Sequence, residues 1–315
     1  TAEYYNETQP HDVIFIGDCE VYENFSPVTL WSDYGITSYI RGSAQQLIWQ
    51  SYYLLEEALE KESPAVVVYN VQAMKYAQPQ SEAYNRMALD GMPLSQHKID
   101  AINASMCEDE DMISYLIPLL RYHSRWSELS SEDLEYMFKK DPVTISGYLM
   151  RADTKPMTKL PNVPVLEDYT IGERCWYYLD KMRELCQTHG TELVLIKSPS
   201  LWPHWYDEWD EQISAYAEKY GLDYINLLPY ADDIGLDMQT DTYDGGLHLN
   251  VYGAEKLSKY FGRILRDKYE VPDRRDAADI AECWAQKCED YYALLAAQKA
   301  ELEKYGYLKS WTLGE

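Results

Sequence analysis

Apolar residues in this chain occur in two patterns, short continuous runs and longer stretches with helical spacing. The continuous runs are rich in Val, Ile and Leu, which is typical of strands buried on both faces of a parallel sheet. Ala65–Val71 is the clearest example, a near-continuous apolar run. The predicted strands are Asp12–Gly17, Ile36–Arg41, Ala65–Val71, Glu192–Lys197 and Asp223–Leu228.

Stretches with apolar residues three or four positions apart lie between these runs and predict helices. The predicted helices of this regular part are Pro27–Tyr34, Ser43–Lys61, Gly172–His189, Asp207–Tyr220 and Gly253–Lys268. Strands that alternate with helices of this length predict parallel connections. The pattern therefore predicts an α/β fold, a flavodoxin-like three-layer α/β/α sandwich with a five-stranded parallel sheet.

Two parts of the chain fall outside this alternation, residues 72–171 and residues 272–315. We expect the first to be a helical and loop insertion and the second a helical addition, within one domain spanning 1–315. The long helix of the addition either packs on the same molecule, which we favour, or forms a dimer contact. The elements predicted here are helices at Ser81–Leu89, Lys98–Ser105, Asp109–Tyr122, Ser131–Phe138 and Ala277–Tyr305, and a loop or short hairpin at Thr144–Asp168.

Composition excludes several classes of partner. The 315 residues carry a formal net charge of −25, which argues against binding to a phosphate backbone, so no nucleic acid is expected. Neither a GxGxxG nor a Walker loop occurs, and we predict no cofactor. No apolar stretch reaches the ~20 residues that span a bilayer. Because the chain begins at Thr1, we expect a signal or membrane anchor to precede it.

The six cysteines and the acidic clusters do not predict a metal site. Cys175 and Cys186 lie eleven positions apart in one predicted helix, too far apart to form a disulfide, and no spacing resembles that of zinc ligands. The acidic residues within 108–111 and at Asp232 and Asp233 could hold calcium, but their irregular spacing favours solvated surface. We therefore expect free thiols and no metal.

Two short segments carry the candidate chemistry. Cys19 follows the glycine turn that ends the first predicted strand, where open α/β sheets place their active sites. His248 lies in a glycine-rich turn near the other end, with Asp244 close before it and Asp241 as a rival carboxylate. A thiol nucleophile, an imidazole base and an orienting carboxylate form the set needed for acyl transfer. The alternative is a buried small residue in an inactive site, and the sequence does not tell whether Cys19 is the natural residue.

The segment Gly17-Asp18-Cys19-Glu20 resembles the nucleophile block of the SGNH/GDSL hydrolases, in which serine occupies the position of Cys19. The segment from Asp244 through His248 to Gly253-Ala254 is similar to the last block of that family. The resemblance implies catalytic roles for Cys19, His248 and Asp244. It also implies an oxyanion hole made by the N–H groups of Cys19 and Gly42 and by the Asn70 amide.

Three departures from the family pattern are visible. The nucleophile is a cysteine, Asp244 precedes His248 by four positions where three are usual, and Tyr69-Asn70-Val71 replaces the usual Gly-x-Asn-Asp. The last two departures favour a rival interpretation, a non-catalytic carbohydrate- or partner-binding module on the same fold. A cysteine peptidase is a weaker third alternative.

Glu20, the neighbour of the nucleophile, is expected to contact substrate. Residues in two further segments are expected to do the same. The segment Arg121–Trp126 packs cations and aromatics together and forms either a lip over the site or the basic end of a helix. Aromatic residues after the fourth strand form either the floor of a groove or a hydrophobic plug. The candidate substrate-binding residues are Glu20, His123, Arg125, Trp126, Trp202 and Trp205.

The relatives that the resemblance suggests are extracytoplasmic bacterial proteins, the D-alanyl transfer protein of teichoic-acid modification and the alginate-acetylation proteins. The expectation that follows is an esterase or O-acyltransferase acting on a cell-envelope glycan or polymer through a Cys19 acyl-enzyme. Its expected partners are that glycan or an acyl donor, and a membrane-bound acyltransferase. Its expected location is outside the cytoplasm, attached to the membrane.

Overall fold

A five-stranded, fully parallel sheet forms the centre of the computed structural model, which describes residues 2–108, 110–116 and 145–312. The strands stand in the order β2-β1-β3-β4-β5, the doubly wound order of flavodoxin-like folds. The three-layer sandwich predicted from the apolar runs is therefore confirmed. The strands are β1 (Val13–Gly17), β2 (Ser38–Gly42), β3 (Val66–Asn70), β4 (Glu192–Lys197) and β5 (Asp223–Asn226).

Helices cover both faces of this sheet. On one face, alternate residues of the strands such as Ile14 and Val67 pack against α3, α5, α7 and α8. On the other face, their neighbours Val13, Phe15 and Val68 pack against α2, α10 and α11. The helices are α1 (Cys19–Tyr22), α2 (Pro27–Tyr34), α3 (Ile48–Lys61), α4 (Glu82–Leu89), α5 (Gln96–Ser105), α6 (Met112–Leu116), α7 (Glu173–His189), α8 (Asp207–Tyr220), α9 (Ala231–Ile234), α10 (Val251–Asp267), α11 (Ala278–Tyr305) and α12 (Lys309–Thr312), with 3₁₀ turns at Ala2–Asn6, Val71–Lys75 and Leu228–Tyr230.

Local hydrogen bonds move some element ends from their predicted positions. Helix α3 begins at Ile48 rather than at Ser43, because the intervening residues form a turn that is closed from the Gln46 N–H to the Ser43 carbonyl. Helix α10 begins at Val251, two residues before its predicted start, because the Asn250 side chain caps it. Strand β5 ends at Asn226, whose side chain accepts a hydrogen bond from the N–H of Leu228.

The inserted segment contributes short helices and an irregular stretch. Helices α4 and α5 lie where helices were predicted. An isolated bridge between Ile145 and Tyr148 forms a minimal hairpin, and the stretch after it contains no further strand or helix up to α7. The predicted helix Ser131–Phe138 and half of Asp109–Tyr122 lie outside the described residues, and the described half of the latter contains α6.

The long C-terminal helix α11 packs along the outside of α2 and α10. Trp284 is buried and stacks on Trp31 of α2 with ring centroids 5.3 Å apart. Tyr291 is buried and donates a hydrogen bond to Glu255 of α10. The helix therefore forms part of the core on that face of the sheet. No helix among the described residues is both long enough and apolar enough to cross a membrane.

Candidate active site

A cavity of about 410 Å³ opens at the carboxyl edge of the sheet. Cys19 and His248, which are far apart in the sequence, both line it. The remaining wall combines carboxylates, aromatic rings and two side-chain amides with one lysine. It is formed by Asp18, Glu20, Tyr22, Glu23, Ala44, Gln45, Gln72, Lys75, Tyr76, Tyr84, Trp202, Pro203 and Leu247.

The turn after β1 places Cys19 at this edge. Gly17 has φ +148°, a conformation that favours glycine, and a Cβ there would come within 3.2 Å of the Asn70 Cβ. Asp18 then caps α1 by accepting a hydrogen bond from the Glu20 N–H. Cys19 is consequently the first residue of α1, where a backbone N–H has no acceptor within the helix.

A tight loop brings Asp244 and His248 together. An antiparallel bridge between Thr242 and Leu249 closes this loop, and Gly245 and Gly246 adopt positive φ values inside it. The His248 N–H donates to Asp244 Oδ1 at 3.0 Å, and His248 Nδ1 lies 2.6 Å from Asp244 Oδ2. The two glycines therefore allow a spacing of four residues to produce a close carboxylate–imidazole pair.

Asp241, the rival carboxylate, is engaged elsewhere. It is buried, forms an ion pair with Lys256 at 2.7 Å and accepts a hydrogen bond from the Asp237 N–H. Asp244 is thus the aspartate that contacts the imidazole.

The second nitrogen of the His248 ring is left for the thiol, because Nδ1 faces the carboxylates. Burial lowers the pKa of His248, but hydrogen bonds to Asp244 and Cys19 and the negative charge of Glu23 outweigh it and raise that pKa to about 12. Burial raises the pKa of Asp244, but the hydrogen bonds from His248 and the attraction of its charge outweigh burial and hold that pKa below its usual range. The neighbouring carboxylates therefore stabilise the imidazolium that forms when His248 accepts the thiol proton.

The thiol itself is a reluctant acid in this site. Burial raises the pKa of Cys19 to about 11, the charge of Asp18 adds to the rise, and the hydrogen bond with His248 opposes it. Cys19 therefore depends on His248 for activation.

A second carboxylate, Glu23, lies beside the imidazole and was not identified from the sequence. Glu23 Oε2 is 3.4 Å from His248 Nδ1, and the same oxygen accepts a hydrogen bond from the Tyr243 hydroxyl. The Tyr243 ring stacks on the His248 ring at 6.0 Å with an interplanar angle of 18°. The sequence signal was present, since Glu23 follows Cys19 by four positions and so lies on the same side of a helical turn.

Glu20, which was predicted to contact substrate, lines the cavity and also holds the nucleophile turn in place. It is buried, and its carboxylate accepts hydrogen bonds from Lys197 at 2.8 and 2.9 Å, from Ser200 at 2.9 Å and from Asn70 at 2.9 Å. Lys197 is fully buried and also donates to the Ser198 carbonyl. A buried ion pair with this many hydrogen bonds anchors α1 to the end of β4.

Asn70 and Gly42 lie beneath α1 and do not line the cavity. Both amide hydrogens of Asn70 are donated, to Asp18 and to Glu20, and its oxygen accepts from the Ser198 N–H. A Cβ on Gly42 would lie 2.9 Å from Val21 of α1. In this arrangement neither residue is directed at a carbonyl next to Cys19, so the oxyanion roles predicted for them are not supported.

The backbone N–H groups of two other residues are candidates for the oxyanion hole. Ala44 and Gln45, two and three residues beyond Gly42, line the cavity. Within the described residues, no hydrogen bond is made by either of their N–H groups. Together with the N–H of Cys19, they are candidate donors to a developing oxyanion.

Asn24 connects the nucleophile segment to the histidine loop. Its side chain donates to the Ser198 hydroxyl at 2.9 Å and accepts from the Leu249 N–H, next to His248, at 2.8 Å. Asn24 is fully buried, and its hydrogen bonds hold the nucleophile segment and the histidine loop at a fixed separation.

The two tryptophans predicted to contact substrate lie in different places. Trp202 lines the cavity, in a cis peptide bond with Pro203. Trp205 is buried in the core, where its indole N–H donates to Asp210 at 3.1 Å, so it is the hydrophobic plug and not a groove residue. His123, Arg125 and Trp126 lie outside the described residues.

No family model and no curated protein matches the chain. Solved structures that resemble it include a proposed acylhydrolase from Bacteroides fragilis, at 13% identity, over 85% of this chain and 95% of that one, with a TM-score of 0.41. They also include a GDSL-like lipase from Bacteroides thetaiotaomicron, at 14% identity, over 84% and 95% of the two chains, with a TM-score of 0.39. Both likenesses are distant, so the chemistry of the site follows from this chain's own residues.

Proposed function

We propose that the protein is an SGNH-type ester hydrolase or O-acyltransferase that works through a Cys19 acyl-enzyme. The observation that carries this proposal is the position of His248, which contacts Asp244 at 2.6 Å and hydrogen-bonds to the Cys19 thiol within one cavity. A nucleophile, a base and an orienting carboxylate in that sequence of contacts are the requirements for acyl transfer.

In the first half of the reaction, Cys19 Sγ attacks the ester carbonyl carbon while its proton passes to His248. The carbonyl electron pair moves onto oxygen, and the N–H groups of Cys19, Ala44 and Gln45, which line the cavity, are the candidate donors to it. The carbon–oxygen bond of the ester then breaks. The leaving alkoxide takes the proton from His248 and departs as an alcohol, leaving a thioester on Cys19.

In the second half, His248 takes a proton from water or from an acceptor hydroxyl, and the oxygen attacks the thioester carbon. The carbon–sulfur bond breaks, and the thiolate recovers the proton from His248. Water gives hydrolysis, and a sugar hydroxyl gives transfer of the acyl group. A thioester transfers its acyl group readily to either.

The finer proposal is that the substrate is an acylated glycan or polymer of the bacterial cell envelope, met outside the cytoplasm by a membrane-attached protein. The resemblance of the Cys19 and His248 segments to those of extracytoplasmic acyl-transfer proteins supports it. Release of acyl groups from purified O-acylated envelope polymers, measured by mass spectrometry, is the direct test.

The first experiment is incubation with 4-nitrophenyl acetate followed by intact-mass measurement. We expect a burst of nitrophenol and an acetyl adduct on Cys19, with both absent in Cys19→Ala and the burst absent in His248→Ala. A Cys19→Ser variant tests whether the site also supports the hydroxyl nucleophile of the SGNH pattern. Equal reaction rates in the parent and in both alanine variants would show this mechanism to be wrong.

A non-catalytic binding module remains the second candidate. The placement of Asn70 and Gly42 beneath α1 favours it, because the predicted side-chain oxyanion donor is absent from the cavity. This alternative predicts glycan binding that survives Cys19→Ala, with no acyl adduct formed from activated esters. The acyl-enzyme proposal predicts the opposite result in the mass measurement.

A further inference from the structure

Two polar side chains of the cavity take no part in the mechanism above. Gln72 is only 3% exposed, and its Oε1 atom has no hydrogen-bond partner among the described residues. Lys75 is half-buried and lines the same cavity as Cys19. Buried polar groups are nearly always hydrogen-bonded, and an unpaired Oε1 by itself calls for a hydrogen-bond donor. The Nε2 group of the same amide also makes no hydrogen bond to a described residue, so it is the end of Gln72 that can donate to a ligand in the cavity.

The local backbone places both side chains on one side. They belong to the 3₁₀ helix Val71–Lys75, which begins directly after β3. In a 3₁₀ helix, residues three apart are eclipsed, so Gln72 and Lys75 lie one above the other. The end of β3 is at the carboxyl edge of the sheet, where Cys19 also lies.

The carboxylates near Lys75 are already engaged. Asp18 accepts hydrogen bonds from Asn70 and from the Glu20 N–H. The Glu20 carboxylate is shared among Lys197, Ser200 and Asn70. Among the described residues no ion pair involving Lys75 is formed, and its ammonium lies 5.0 Å from the centroid of the Tyr76 ring.

Lys75 is accordingly a partly desolvated cation. Burial lowers its pKa, and attraction to Asp18 and Glu20 opposes the change without cancelling it. His248, the other basic side chain of the cavity wall, is occupied by two carboxylates. An anion that enters the cavity therefore has Lys75 as its available cation.

We propose that Gln72 and Lys75 form a subsite that binds a carboxylate of the substrate, in the same molecule as the ester that Cys19 attacks. The inference rests on the proposed function and specifies its substrate class. One carboxylate oxygen pairs with the Lys75 ammonium, and the other accepts a hydrogen bond from the Nε2 group of Gln72. Because Asp18, Glu20, Glu23 and Asp244 surround the nucleophile, one lysine balances a single negative charge better than the two charges of a phosphate monoester.

The carboxylate could belong to either side of the ester, so two pairs of substrates are compared. For the alcohol side, 4-acetoxybenzoate is compared with neutral 4-acetoxybenzamide. For the acyl side, the mono-4-nitrophenyl ester of adipic acid is compared with 4-nitrophenyl hexanoate. The measured quantity in each pair is the ratio of kcat/KM for the charged ester to that for the neutral ester.

We expect a ratio of about ten or more in one of the two pairs. The ratio should fall to about one in Lys75→Gln, because the charge is lost, and should persist in Lys75→Arg, because the charge is kept. Gln72→Leu should lower the ratio partially. Lys304→Gln is the matched control, since it removes one positive charge from an exposed position on α11 and should leave the ratio unchanged.

Turnover of the neutral esters with a ratio of one or below in both pairs would overturn the subsite and leave the proposed function intact. Absence of turnover and of an acyl adduct for every ester would overturn the proposed function instead. In that event, calorimetric binding of benzoate against benzamide tests the subsite directly. Binding of benzoate that is lost in Lys75→Gln supports it, and equal or absent binding of the two compounds refutes it.

Discussion

Two carboxylates share one imidazole in this protein, at unequal distances. Asp244 is 2.6 Å from His248 Nδ1, and Glu23 is 3.4 Å from the same nitrogen. Asp244 orients the ring through a short hydrogen bond, whereas Glu23 acts mainly through its charge. Tyr243 fixes the Glu23 carboxylate by a hydrogen bond and covers the ring from the side.

This arrangement predicts graded effects of removing the two charges. Glu23→Gln should lower the pKa of His248 and reduce the rate of ester cleavage about tenfold. Asp244→Asn should lower both further, with a rate loss on the order of 10² to 10⁴, because it also disturbs the ring orientation. NMR titration of the His248 ring protons gives the pKa, and nitrophenol release gives the rate.

Glu62 provides the matched control. Its carboxylate lies 3.0 Å from Nδ1 of the buried His11, which precedes β1 at the opposite edge of the sheet. Glu62→Gln should therefore lower the pKa of His11 and leave that of His248 unchanged. An unaltered His248 pKa in Glu23→Gln would contradict the role given to Glu23.

At the scale of elements, the site depends on how closely α1 approaches β2. Gly42 ends β2, and a Cβ there would lie 2.9 Å from Val21 Cγ2, 3.2 Å from Tyr22 Cδ1 and 3.3 Å from the Asp18 carbonyl. Separations this short force neighbouring atoms apart. Because Cys19 is the first residue of α1, any displacement of this helix moves the nucleophile relative to His248.

Gly42→Ala should therefore reduce the rate of acyl-enzyme formation by about tenfold to a hundredfold, since small displacements of a reacting atom are costly. The double variant Gly42→Ala with Val21→Ala removes the shortest contact and should recover part of the rate. Single-turnover nitrophenol release measures both. No recovery in the double variant would show that the contact with Val21 is not the cause.

The elements were the most predictable part of this molecule. Strands β1, β3 and β4 are continuous apolar runs because helices cover both of their faces, and that pattern is visible in the sequence. The starts of α3 and α10 were predicted less well. They depend on a turn at Ser43 and on the Asn250 cap, which are local hydrogen bonds that the apolar periodicity does not reveal.

Only the site residues that lie in short, recognisable sequence segments were predicted. Cys19, Asp244 and His248 stand in recognisable turns, and the structure brings them together. The hydrogen bonds that hold Asn70 and Glu20 under α1 could not be predicted, because they involve Lys197, which ends an apolar strand far along the chain. A lysine in that position is itself a signal, because a buried cation requires a carboxylate partner.

At the scale of the whole molecule, the C-terminal helix α11 also supports the segment that lies under the histidine loop. Gln298 is buried, accepts from the Ala152 N–H at 2.8 Å and donates to the Met150 carbonyl at 3.0 Å. The carbonyl of Arg151, between these two residues, accepts from the N–H of Val251 at the start of α10. The helix thus contributes to stability on one side and to positioning of the loop on the other.

A substitution in the buried face of α11 should lower stability without changing the catalytic rate. Trp284→Ala removes a side chain that is 1% exposed and stacked on Trp31, and should lower the free energy of unfolding by about 3–5 kcal/mol. Chemical denaturation measures that loss. Below the unfolding transition the ester-cleavage rate per folded molecule should be retained, because Trp284 contacts neither the cavity nor the histidine loop.

Tyr292→Ala on the same helix is the matched control, since Tyr292 is 56% exposed and its removal should change stability by less than about 1 kcal/mol. Equal losses in the two variants would mean that α11 is not part of the core.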